Sequence, residues 1–173
     1  MASEVLASMR STTRSGGGGS AVNAKSDRLE GERQMTDVTR VECRCGSVAI
    51  EISAPPIAQF FCHCDDCQAV HGAAYAPESV YPAWAVEVVR GEPTSWALKQ
   101  NPRFTCRDCG TRLFIDGLRL GLRGVNGYLL PAGGFQAQYH MQCQFAVRPV
   151  LDDLPHFKSR APQFGGSSET VDW

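Results

Sequence analysis

Cysteine and aromatic side chains are both missing from the first 34 residues of this 173-residue chain: the first aromatic is Phe60, and all eight cysteines lie between Cys43 and Cys143. The same opening stretch carries the run Ser15-Gly16-Gly17-Gly18-Gly19-Ser20, the composition of a flexible linker. A segment so poor in large apolar side chains cannot offset its ordering entropy by burial. Two origins stand open: a tag remnant ahead of a natural start at Met35, or a natural disordered extension. Either way the expected organisation is a leader over residues 1–34 and one folded domain over residues 35–173. The leader has no apolar core of the kind a secretion signal carries, and Glu4 spoils its fit to a transit peptide.

Long apolar runs are lacking too. None approaches the roughly 20 residues that span a bilayer, which excludes a spanning helix. Charge of one sign is not in excess: 17 Lys and Arg stand against 18 Asp and Glu, a formal net charge of −1. That excludes the basic footprint of a nucleic-acid binder and a polybasic membrane patch. Helical periodicity is nearly absent, since only Asp65 to Ala69 reads as a helical turn.

What remains is a series of short strands with turn punctuation. Ser47 to Ile52 alternates with period two and is rich in β-branched residues. Ile57 to Phe61, Trp84 to Arg90, Ser95 to Lys99, Thr111 to Ile115 and Leu118 to Val125 follow, with Pro55-Pro56, Gly91-Glu92-Pro93 and Asp116-Gly117 as breaks. The cleanest alternation comes late. Tyr139, Met141, Cys143, Phe145 and Val147 share one phase, while His140, Gln142, Gln144 and Arg148 share the other. The pattern predicts a mainly β domain with antiparallel pairing, His140 on the polar side and Cys143 in the core.

The cysteines carry the chemistry. They come as Cys43-Arg44-Cys45-Gly46, Cys62-His63-Cys64-Asp65-Asp66-Cys67 and Cys106-Arg107-Asp108-Cys109-Gly110, with Cys143 alone. A glycine after a cysteine pair accepts the tight turn and lets backbone N–H groups face the thiolates, which makes a metal knuckle. A disulfide framework would require an oxidising compartment and a strained C-x-C bridge. Zinc is the expected ion, and reduced zinc thiolates point to the cytoplasm. Cys43, Cys45, Cys106 and Cys109 make one closed four-thiolate set, which is structural. Cys62, Cys64 and Cys67 make a three-thiolate set whose fourth position is open to water or substrate, the arrangement of a catalytic zinc. Cys143 is the residue that could close it, and so is His71, one helical turn after Cys67. Asp65 and Asp66 are expected to cap the short helix.

The run of C-x-C-G, then C-H-C-x-x-C with Gly72-Ala73, then C-x-x-C-G with Thr111-Arg112-Leu113-Phe114, resembles the glutathione-dependent formaldehyde-activating enzyme family, which includes centromere protein V. The Gly91-Glu92-Pro93 turn and the late Asp152-Asp153-Leu154-Pro155 fit the same layout, as does His140. The resemblance implies a zinc-stapled β-tent and two Zn2+ per chain, one of them labile. It also implies condensation of formaldehyde with glutathione, a carbon–sulfur lyase reaction run in reverse. The expectation is therefore a lyase whose Cys62/Cys64/Cys67 zinc activates a small-molecule thiol such as glutathione. The alternative is a non-catalytic zinc-binding thiol carrier or interaction module. Three thiolates and one Zn2+ sum to −1, so nearby cations would help a further thiolate to bind; Arg44, Arg107, Arg119 and Arg123 are candidates.

Overall fold

The computed structural model describes residues 37–173; the expected leader lies outside the described residues. Short alternating segments form the strands β1 (Thr39–Glu42), β2 (Ala49–Ile52) and β3 (Ala58–Cys62), followed by the helix α1 (Asp65–His71). Next come β4 (Ala76–Pro82), β5 (Val86–Arg90), β6 (Thr94–Ala97) and β7 (Pro102–Thr105). The strands end with β8 (Arg112–Gly117), β9 (Leu122–Asn126) and β10 (Tyr139–Met141). They build a three-stranded sheet in the order β1-β2-β5 and a seven-stranded sheet in the order β10-β3-β4-β9-β8-β7-β6. The fold is mainly β, as the period-two pattern predicts.

The first core joins both sheets. Val41, Ile50, Ile52 and Val86 of the small sheet pack with Tyr81, Leu113, Phe114 and Val125 of the large one. Cys43 and Cys106 are buried in that same cluster. A second core gathers Phe60, Cys62, Val80 and Tyr139 with Ala161. Tyr81 belongs to the first core and its neighbour Val80 to the second, so β4 is covered on both faces. Each cysteine group is thus rooted in a core of its own.

β4 escapes sequence reading because Pro77, Glu78, Ser79 and Pro82 break its apolar pattern, yet six of its seven residues are buried. Ser79 is satisfied by its neighbours. Ser79 Oγ donates to the Tyr81 hydroxyl at 2.8 Å and accepts from Gln59 Nε2 at 2.9 Å. Paired this way, buried polar groups cost little.

The late alternation ends sooner than its pattern suggests. β10 stops at Met141, Gln142 takes a left-handed φ of 61°, and Cys143–Phe145 forms a 3-10 turn. Phe145 and Val147 are exposed, while Cys143 is buried as expected. β10 also pairs with β3 in parallel, not antiparallel. Its other side is occupied: His140 N donates to Pro155 O at 2.8 Å, and Phe157 N donates to His140 O at 2.9 Å. The face that carries His140 is covered by the rings of Phe61, His63, Tyr75 and His156, and so His140, expected on a polar face, is fully buried. Asp116 and Gly117 lie within β8, and the turn follows them, with Gly121 at a φ of 63°.

The Gly91 turn packs on the first cysteine loop. Its φ is 75°, and a Cβ there would lie 2.2 Å from the Ser47 carbonyl oxygen. Replacing Gly91 with Ala should therefore destabilise the protein by at least about 2 kcal/mol, read as a lowered denaturant midpoint, and a change within about 0.5 kcal/mol would contradict this packing.

Candidate metal centres and the adjoining pocket

Two matching loops bring the first four cysteines together. Cys43 N donates to Val48 O at 3.0 Å in one loop, and Cys106 N donates to Thr111 O at 2.9 Å in the other. Gly46 and Gly110 close the loops at φ of 77° and 69°, the left-handed conformation their position requires. Cys43 and Cys45 Sγ lie 3.4 Å apart, and Cys45 and Cys106 Sγ lie 3.7 Å apart. Two sulfurs held at about 2.3 Å from one ion can be no more than about 4.6 Å apart, so these spacings fit a shared metal. All four sulfurs lie within 4.8 Å of one another. Burial raises the Cys43 thiol, but the Val48 N–H and the Ser47 hydroxyl outweigh it and bring it down to about 7. The Thr111 hydroxyl and N–H bring Cys109 down to about 6. The loops thus favour the thiolate form at Cys43 and Cys109, while at Cys45 the bonds from Ser47 are outweighed by Cys109 and Cys43, which push its thiol up.

The second cluster holds three sulfurs, those of Cys62, Cys64 and Cys67, again within 4.8 Å of one another. Cys62 ends β3, and Cys67 lies in the first turn of α1. Cys64 is the N-cap of α1, its Sγ accepting from Cys67 N at 3.3 Å. Sulfur therefore takes the capping place expected of Asp65 or Asp66. Hydrogen bonds from Cys62 and Cys67 hold Cys64 far below the usual thiol range, and the same sharing pushes Cys62 well above it. Three adjacent sulfurs without a cation can hold only part of the charge that three thiolates would carry. Cys143 does not join them, and among the described residues the cluster has no fourth member.

A cavity of about 220 Å³ opens beside this cluster, with Cys62, Cys67 and Glu78 in its wall. A larger cleft of about 620 Å³, lined by Asp37, Ile52, Tyr81 and Leu130, has no cysteine in its wall. Chemistry therefore favours the smaller space.

The structure separates the remaining candidates. His71 Nε2 lies 4.0 Å from Glu78 Oε1, outside the sulfur cluster. Arg123 is engaged by Asp116 at 3.1 and 3.2 Å and lies over the Phe114 ring. Arg44, Arg107 and Arg119 are exposed, the first two on the loops of the other cluster. Arg103 and Arg112, which the sequence does not single out, are the cations that act here. Burial pushes Glu78 up to about 8, with Arg112 and Arg103 pulling the other way, and Arg112 also feels Cys67. Arg112 Nε and Nη1 are buried without a hydrogen-bond partner. Both residues sit in short strands of mixed composition, where no periodic signal marks them.

His63 takes the face of β3 opposite to Cys62. Its Nε2 lies 2.8 Å from His140 Nδ1, and His140 Nε2 lies 2.9 Å from Asp152 Oδ2. His156 Nε2 approaches Asp152 Oδ1 at 3.3 Å, its ring stacked on His140 with centroids 4.6 Å apart. Trp173 covers His156 and His63 at 5.2 and 6.2 Å. With Asp152 ionised, His140 donates from Nε2 and accepts at Nδ1 from His63.

Burial holds both His63 and His71 near 4. Between that value and about 6.5 the unfolded chain takes up protons that the folded chain refuses. Their contribution to stability is thus present above 6.5 and lost as pH falls toward 4. Replacing His71 with Gln should flatten this acid-side loss, measured as the denaturant midpoint from pH 7.5 to 4.5. A slope equal to that of the parent would refute the burial of a neutral ring.

A crystal structure of a Rhodobacter sphaeroides protein is similar to this chain over 57% of its length and 96% of that protein's, at 22% identity and a TM-score of 0.47. No curated protein matches the chain. The family model described as glutathione-dependent formaldehyde-activating enzyme matches residues 38–147, a span that takes in all eight cysteines. With the cysteine loops in place along that span, the chain belongs to the glutathione-dependent formaldehyde-activating enzyme family.

Proposed function

We propose that the protein is a zinc-dependent carbon–sulfur lyase or synthase acting on thiol–aldehyde adducts. Cys43, Cys45, Cys106 and Cys109 hold a structural Zn2+, and Cys62, Cys64 and Cys67 hold a second whose fourth position takes the thiol of a substrate. One observation carries this reading: a three-sulfur cluster, with no fourth ligand among the described residues, borders a cavity through Cys62 and Cys67. Family membership supports glutathione-related formaldehyde activation in general terms.

When bound, the second zinc supplies a Lewis acid that favours a thiolate near neutral pH. The chain contributes the rest. The Cys67 N–H and the position at the start of α1 favour an anionic Cys64. Arg103 and Arg112 offset the negative charge that three thiolates leave around a divalent ion. The cavity wall screens the reacting centre from water and strengthens those charges. In the synthase direction a carbon–sulfur bond forms at the aldehyde carbon, and the thiol proton ends on the carbonyl oxygen. The lyase direction reverses both.

Metal counting with thiol-dependent formaldehyde consumption tests the assignment. Cys64→Ser should lower the zinc content from two to one per chain, keep the fold and reduce consumption to background. Undiminished consumption in that variant would refute the catalytic assignment. Cys106→Ser should unfold the protein, because structural zinc contributes folding free energy of about 10 kcal/mol.

A further inference from the structure

The cavity beside Cys62 and Cys67 is a poor match for a charged tripeptide. Its wall is built by Phe60, Val80, Ile115, Leu120, Leu122 and Phe164. Its polar contribution, besides the two cysteines, is chiefly Glu78, Asn101 and Arg160. Its volume of about 220 Å³ falls below the roughly 300–1,000 Å³ of pockets that enclose drug-sized ligands. A tripeptide such as glutathione brings two carboxylates, an ammonium group and two amides. Any of those groups placed against this wall loses water and finds no partner, at the desolvation cost of an unpaired polar group. Arg103 and Arg112 do not line the cavity, and Glu78, which does, offers an anion no attraction.

One cation does reach the space. Arg160 is exposed, lines the cavity and makes no ion pair among the described residues. Its segment is fixed from behind: a Cβ on Gly166 would lie 1.6 Å from the Arg160 carbonyl oxygen, so only glycine lets the two backbones meet. The rim therefore presents a single basic residue, on a backbone held in place by Gly166, to a space that is mostly apolar.

We infer that the substrate thiol of this protein has a compact apolar body carrying no more than one anionic group, with the sulfur directed to the Cys62/Cys67 end and the anion, when present, to Arg160. The inference rests on the thiol reading of the three-cysteine site and deepens it. Apolar surface from Phe60, Leu122 and Phe164 holds the body, and the fit is set by area removed from water rather than by hydrogen bonding.

Isothermal titration of the metal-loaded full chain tests it with three probes: phenylmethanethiol, glutathione and phenylmethanol, which has the same apolar body with oxygen in place of sulfur. Phenylmethanethiol should bind at least about tenfold more tightly than glutathione. Leu120→Asn, a change at an exposed rim position, and Phe164→Ala should each weaken it by about threefold or more while leaving glutathione unaffected. Glutathione binding as tightly as phenylmethanethiol overturns the inference and leaves the thiol reading intact. Phenylmethanol binding as tightly as phenylmethanethiol removes any role for sulfur and overturns the thiol reading, with the apolar selectivity retained. Binding by none of the three overturns both.

Discussion

Four sulfurs from two distant loops converge in this fold, and the charge they would carry as thiolates is the constraint their surroundings have to meet. Cys45 and Cys106 are 61 residues apart in sequence, yet their Sγ atoms lie 3.7 Å apart. Thiolates at that spacing repel one another, and a divalent ion shared between them would turn the repulsion into a bond between distant parts of the chain. The two loops that do this come from different sheets, and Cys43 and Cys106 sit in the core between them. The apolar core around them joins the two sheets whose strands are only three to seven residues long.

The second cluster obeys the same constraint with one sulfur fewer. In the first cluster the loops, through Val48 N–H, Ser47 and Thr111, lower individual thiols. In the second, the sulfurs depend on each other and on the start of a short helix, and their ionisation divides unequally among them. One cluster is thus closed by its own ligands, and the other borders a cavity with its complement incomplete. The two clusters differ in the number of sulfurs and in the cavity beside the second.

β3 connects the site to the rest of the protein by parity. Phe60 and Cys62 face the second core, while Phe61 and His63 face Tyr75, Phe135 and His140. A one-residue step therefore separates the metal side of the strand from the histidine side. The chain of buried His63 and His140 and exposed Asp152 ties β3 to β10 and to the segment before His156 from behind the cysteine cluster. It keeps the strand that carries Cys62 in place without touching the cavity.

Much of this was legible in the residues alone. Spacing and the following glycines grouped seven cysteines into four and three, because a knuckle is a local turn whose chemistry needs no distant information. Period-two alternation marked β2, β5 and β8 for the same reason. β4 stayed hidden, since its buried Glu78 and Ser79 are tolerated only through partners on other strands. His140 looked solvent-facing because alternation tells which residues share a face but not what covers that face; Phe61, His63, Tyr75 and His156 do so here. The sequence by itself determined the β character and the division of seven cysteines into groups of four and three. Only the tertiary structure decided which cations stand near the open cluster, which histidines are buried and how apolar its cavity is, because those properties depend on packing between segments far apart in the chain.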